Sequence, residues 1–376
     1  MPSKLEARIA IILCCLAGAN CGPSPKGGVT TVASSLYARS DTNATTVWSP
    51  RVHVAGKLGE SAGVDTAIAL DSWTAASIDI TTAATSAVHE IRSEVTAGGF
   101  YEFENATLAA GYRYSTENDY WSNGGVASLT VDMASNNTTL GIAGFGSKDT
   151  VGRAGDPGFK KPQSSIGGRL SLTQVLDTKS LLQLSWETTS VEGYQAGPYR
   201  FVAVGGTDTG LCAGSAPFCL PEAVPGQRLR SAAIATLRRA LGDHASLGAS
   251  YRFYFDDWGL SSHTLSPDLA WLITEHGTLS LNYRYYTQSD ADFYRPRYLG
   301  GLGDVKYLTR DRELSSLYSH RIGLGYSHEI DVGEEGGAVL TTAFRGGVTR
   351  YEYLAFVGLE QVDALEGTLL LSLDWL

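Results

Sequence analysis

The tightest constraint on this chain is a two-residue rhythm that recurs in segments of about ten residues. In 278–288, Leu279, Leu281, Tyr283 and Tyr285 alternate with Ser280, Asn282, Arg284 and Tyr286. In 245–256, Leu247, Ala249, Tyr251, Phe253 and Phe255 alternate with Ser246, Ser250, Arg252, Tyr254 and Asp256. A strand turns its side chain over at each step, so period two sorts residues onto opposite faces. One face then suits hydrocarbon and the other water, the pattern of an antiparallel up-and-down transmembrane β-barrel.

Composition agrees with a barrel and disfavours its rivals. With 43% hydrophobic residues, 18% charged residues and mean hydropathy near zero, the chain is too polar for a bundle of membrane helices. A barrel tolerates this because only alternate residues meet lipid. Tyrosine (19) and tryptophan (7) are plentiful, as expected where rings anchor at the membrane interfaces. A net charge of −10 argues against nucleic acid as a partner.

The first residues read as an export signal. Lys4 and Arg8 precede an apolar run from Ile9 to Ala19, too short to span a bilayer, and Ala17-Gly18-Ala19 supplies small residues for cleavage. The expected organisation is a signal peptide over 1–19, a short exported segment over 20–28 and a barrel over 29–376. Cys21 at the border offers an alternative, a lipidated first residue. The barrel leaves too little chain before its first strand for a TonB-type plug.

Strand character falls near 29–40, 45–58, 64–78, 86–102, 106–116, 121–133, 138–148, 165–176, 180–191, 228–241, 245–256, 261–274, 278–288, 317–330, 338–351 and 361–376. That predicts sixteen strands, with fourteen as the alternative. The segment RLRSAAIATLRRAL also reads as an amphipathic helix. Connections after even-numbered strands are tight, whereas 149–164, 192–227 and 289–316 are long. Short periplasmic turns and longer outer loops produce that alternation, which a sandwich or propeller would not. The C-terminal Leu369, Leu371, Leu373 and Trp375 partly match the signal read by barrel assembly machinery.

Strand parity predicts a lumen wall bearing Arg92, Arg113, Arg169, Arg252, Arg284, Arg321 and Arg345, with acidic partners including Glu94, Asp132, Glu187, Asp256 and Glu329. Arginine keeps its charge and pairs oxyanions bidentately, so this wall reads either as a path for polar or anionic solutes or as a bracing salt-bridge ladder. An outer rim is expected to gather Tyr199, Arg200, Asp256, Asp257, Trp258, His263, Asp290, Asp292, Arg310 and Glu313. These would bind a sugar, a divalent cation or an inward-folded loop, or pair among themselves to order long loops; the 192–227 loop is the candidate constriction.

Cys212 and Cys219 share one Gly/Pro-rich loop without a nearby histidine, so an exported chain would sooner join them as a disulfide than use them for metal. Ser261-Ser262-His263 and Ser319-His320 are no catalytic pairs, because neighbours on a strand point to opposite faces. No GxSxG, HExxH or phosphate-loop motif occurs. Neither an enzyme nor a cofactor is expected. The expected partners are outer-membrane lipid and lipopolysaccharide, the assembly machinery and a small polar solute.

Several stretches resemble an uncharacterised bacterial family, domain-of-unknown-function family 3570. They are ASIDITTAATS (76–86), GYRYSTENDYW (111–121), SLTQVLDTKSLLQLSWETTSVEGYQAGPYRFV (171–202), YRFYFDDWGLSSHT (251–264), YRYYTQSDADFY (283–294) and RDRELSSLYSHRIGLG (310–325). The resemblance implies barrel architecture in the bacterial outer membrane and assigns no substrate. The expected function is a porin-like channel for small polar or anionic solutes through the arginine-lined lumen; the alternative is a non-conducting outer-membrane receptor or assembly protein whose extracellular rim binds a partner.

Overall fold

The computed structural model describes residues 28–75, 88–205, 212, 218–299, 303, 305–333 and 337–375. The expected signal segment, Cys21 and most of 20–28 lie outside these residues. So do 76–87, where the expected strands 64–78 and 86–102 approach each other, and Leu376.

Sixteen strands close into one antiparallel barrel. They are β1 (Gly28–Asp41), β2 (Thr45–Leu58), β3 (Ala62–Ala75), β4 (Val88–Glu102), β5 (Ala106–Thr116), β6 (Tyr120–Met133), β7 (Thr138–Val151), β8 (Lys161–Asp177) and β9 (Ser180–Gly193). After a small separate hairpin, β10 (Phe201–Val204) and β11 (Phe218–Pro221), the wall resumes. It continues with β12 (Gln227–Leu241), β13 (Ala245–Asp256), β14 (Ser261–Leu272), β15 (Gly277–Gln288), β16 (Leu317–Val332), β17 (Ala338–Tyr353) and β18 (Gln361–Trp375). β9 pairs with β12 across the insertion, and β1 pairs with β18 to close the ring.

Closure leaves no strand edge unpaired, which a spanning sheet requires because hydrocarbon offers the backbone no hydrogen bonds. The ambiguous segment 228–241 is strand β12, bonded on one side to β9 and on the other to β13. One rim consists of tight reversals. At Gly242 φ is +69°, and Ala134, Ser135 and Asn136 all take positive φ between β6 and β7. Glycine enters that region without strain, whereas the β6–β7 reversal holds three side-chain-bearing residues there. The longer connections all lie at the other rim.

A cavity of about 740 Å³ shows which face is inside. Arg39 and Asp41 of β1 line it together with Glu187 and Thr189 of β9, diametrically opposite strands in the ring. Only inward-facing residues can share such a space, so the arginine-bearing polar face is the lumen. The other face carries Val52, Ile68, Leu108, Ile142, Leu170, Leu281, Ile322, Phe344 and Leu369, all large, apolar and exposed. That inversion of a soluble core is what a lipid surrounding demands. At Ala233 and Ala235 small side chains leave a groove of about 680 Å³ in this outer surface, beside Trp186, Tyr251 and Phe253.

Candidate functional site

Inward parity places Arg92, Arg113, Arg169, Arg252, Arg284, Arg321, Arg345 and Glu187 on the lumen face. Their environments divide into two kinds. Arg92 Nε donates to Asp71 at 2.8 Å, Arg113 Nε to Glu94 at 2.7 Å, and Arg169 Nε to Glu187 at 2.9 Å. Arg321 pairs with Glu366 and donates to Asn282 at 2.7 Å, while Tyr37 donates to the same Glu366 at 2.9 Å. These are bracing contacts within the wall. Arg252, Arg284 and Arg345 have no carboxylate partner among the described residues. Arg252 lies over the Tyr254 ring (5.2 Å), and Arg284 over the Tyr286 ring (5.6 Å).

Inward arginines of β12 were missed by the sequence reading, because its amphipathic-helix alternative obscured the parity. Arg228 Nε donates to Asp256 at 2.9 Å and lies over the Trp258 ring at 4.2 Å; Arg238 pairs with Asp268 at 3.1 Å. Arg230, between them, makes no ion pair among the described residues, and its buried Nε has no hydrogen-bond partner there.

The rim residues assemble into a lid. Trp258 and Leu260, between β13 and β14, pack with Ala291, Tyr294, Leu314 and Phe356 from two further connections. A second cluster joins Val202 and Val204 of the hairpin to Tyr298 and Leu308. Glu222 is the polar keystone: it accepts from the Gly197 N–H at 2.5 Å, from Arg200 at 3.0 Å and from the Thr309 hydroxyl. Arg200 also donates to Asp311 at 3.1 Å. Arg310 donates to the Val357 carbonyl at 3.0 Å and lies 4.9 Å from the Phe356 ring.

Tyr199 extends the lid across the opening. Its hydroxyl donates to Asp119 between β5 and β6 and accepts from the Ala154 N–H at 2.5 Å, while Arg153 donates to the Pro198 carbonyl at 3.1 Å. Burial, with Asp119 alongside, pushes the Tyr199 hydroxyl up to about 12. Glu313 sits in the 3-10 turn Arg312–Leu314, its N–H bonded to Asp311. Asp257 accepts from the Leu229 N–H at 2.9 Å, and the Asp292 N–H donates to the Trp258 carbonyl at 2.9 Å. Asp290 lies in the same connection, near Tyr294.

His263 stands apart from the mouth. It is exposed on the outer face, where Tyr251 lies 2.7 Å from its Nδ1 and the Phe253 ring 5.0 Å away. Odd residues of β14 point outward, so His263 belongs to the aromatic collar with His320 and Tyr283, which repeat the same contact at 2.7 Å. This corrects its expected place at the mouth.

Two further features differ from expectation. Glu90, Glu117 and Asp119 each bring a carboxylate oxygen within 4.8 Å of the others, although no acidic cluster was anticipated because strand β4 and the β5–β6 reversal contribute separately. Burial, reinforced by Asp119, raises the Glu117 carboxyl above its ordinary range despite the opposing Arg92. The expected disulfide between Cys212 and Cys219 is absent: both are free thiols. Cys219 lies on β11, where it is exposed and opposite Ala203, and Cys212 lies on the preceding loop. Burial, with Cys219 beside it, pushes the Cys212 thiol up to about 12.

No curated protein matches the chain. Among solved structures, a bacterial polysaccharide outer membrane secretin is similar with a TM-score of 0.51 at 8% identity, covering 94% of this chain and 100% of that one. The siderophore receptor PirA from Pseudomonas aeruginosa (TM-score 0.46, 10% identity, 93% of this chain and 68% of that one) also matches. So does OccD3 (OpdP) from the same species (TM-score 0.44, 10% identity, 93% and 92%). The likeness at these identities is one of fold: the chain is a barrel of the outer-membrane type. Residues 156–342, from the β7–β8 connection into β17, match the family described as "Protein of unknown function (DUF3570)".

Proposed function

We propose that this protein is a porin-like channel of the bacterial outer membrane that passes small polar or anionic solutes. Export by the 1–19 segment, insertion by the barrel assembly machinery and a surrounding of lipid and lipopolysaccharide complete the reading. The observation that carries it is the set of lumen arginines without a carboxylate partner among the described residues, Arg230, Arg252, Arg284 and Arg345, in a wall whose other described arginines are matched by acids. A merely structural charge is neutralised by a neighbour; an uncompensated guanidinium facing water is available to a solute. Sixteen strands leave an aqueous interior, whereas eight would be filled by side chains.

Purified protein in a planar bilayer is expected to give defined conductance steps with a reversal potential favouring anions. Replacing Arg252 and Arg284 together by glutamate should move that potential towards cations. An unchanged potential with lowered thermal stability would make both residues structural.

The second reading, a non-conducting receptor, draws support from the lid over the mouth. Silence in the bilayer, together with loop-dependent binding of a partner, would favour it.

A further inference from the structure

We infer that the four uncompensated arginines form a staircase of separate stations for small organic oxyanions, carboxylates or phosphate esters, with its first station in the chamber beneath the lid. The inference rests on the channel reading above and names the class of solute it carries.

The stations follow from strand register. Arg230 of β12 lies opposite Asp256 of β13, four residues from Arg252 on that strand. Arg252 pairs with Thr264, and Thr264 with Tyr286, so Arg252 is level with Tyr286 of β15. Arg284 is two residues farther down β15. Arg345 pairs with Gly325, which pairs with Ser280, four residues below Arg284. At about 3.3 Å per residue, successive stations are displaced by roughly 13, 7 and 13 Å along the strands. Each moves towards the tight-turn rim as the series advances from β12 to β17.

Their surroundings make them stations rather than surface charge. Arg230 and Arg252 line the chamber of about 740 Å³. The acids that share this chamber are committed elsewhere. Asp41 accepts from the Asn43 and Thr45 N–H groups, Glu187 binds Arg169, Glu222 binds Arg200, and Asp311 binds Arg200. Glu313 is engaged as well. Arg230 borders the chamber, and its buried Nε has no acceptor among the described residues, so the wall itself does not neutralise this guanidinium. Arg252 and Arg284 have the Tyr254 and Tyr286 rings, at 5.2 and 5.6 Å, as neighbours in place of a carboxylate, so their N–H groups have no anionic acceptor among the described residues. The guanidinium fork fits planar or tetrahedral oxyanions and gains no such geometry from a spherical halide. Several weak sites in series let a solute enter without trapping it.

Single-channel current, measured against concentration for succinate, inorganic phosphate and chloride, tests this. Succinate, phosphate or both should saturate while chloride stays near linear, and the two oxyanion arms identify which class the stations prefer. Arg252→Lys keeps the charge and loses the fork, so it should preserve chloride current while raising the half-saturation for the preferred oxyanion about tenfold. Arg113→Lys, at a paired site, should leave that value unchanged. Linear current for both oxyanions in the wild type, with anion preference intact, would overturn the stations and spare the channel. Complete absence of current would sink the channel reading and the inference with it. The wild-type series decides the matter even where a variant fails to assemble.

Discussion

Gly167 of β8 lies opposite Phe145 of β7, with the phenyl ring resting against it on the lumen side. A Cβ at this position would approach the Thr188 carbonyl oxygen to 2.7 Å and the ring to 2.5 Å. The ring can swing away, but the carbonyl is fixed by the strand. Gly167→Val is therefore expected to cost about 1–3 kcal/mol as an overpacked site, read as a lower temperature for the folded-to-unfolded band shift in unboiled gels. Wild-type behaviour would show that the wall relaxes there. The Arg169–Glu187 pair beside it faces water, so Glu187→Gln should cost no more than about 1 kcal/mol. Such single-residue sites were readable only in part: parity set Arg169 and Glu187 on one face, but whether an arginine finds an acid depends on the adjacent strand, which parity does not name.

The lid is the element whose behaviour should depend on pH. Burial raises the Glu222 carboxyl above its ordinary range; Asp311 adds to the shift, while Arg200, the Thr309 hydroxyl and the Gly197 N–H oppose it. The closed lid thus holds this proton more tightly than a released, solvated one. Its contribution to closure is complete below the ordinary carboxylate range and is lost as pH rises through the raised value. Glu117 at the Tyr199 end shifts in the same direction. Channel closures should be longer in acid than at neutral pH, and Glu222→Gln should flatten that dependence; equal dwell times across the range would remove Glu222 as a control point. The barrel strands themselves were legible within a few residues because lipid enforces alternation. β10 and β11 were not, since their four-residue strands lie in a Gly/Pro-rich insertion with no bilayer to impose a period. β7 and β8 also continue past the apolar band to the Val151–Lys161 pair, because backbone hydrogen bonds persist where side-chain patterning stops.

For the whole molecule, the alternation of tight and long connections sets a direction in the membrane. With the long loops outside the cell, the exposed Cys219 should react with a membrane-impermeant maleimide on intact cells, and Cys219→Ser should remove that signal. Labelling only after cell disruption would reverse the barrel. Oxidant treatment offers a second readout, because the neighbouring thiols of Cys212 and Cys219 would close a loop and shift mobility on non-reducing gels. The wall is also lopsided: acids answer the arginines of β2–β9, while those left bare are spread from β12 to β17. A zwitterion drifting through would feel a sideways pull, its negative end turned to the bare flank and its positive end away from it. Passage would then depend on molecular shape and dipole orientation as well as on net charge, and two isomers of equal mass and valence would travel at different speeds.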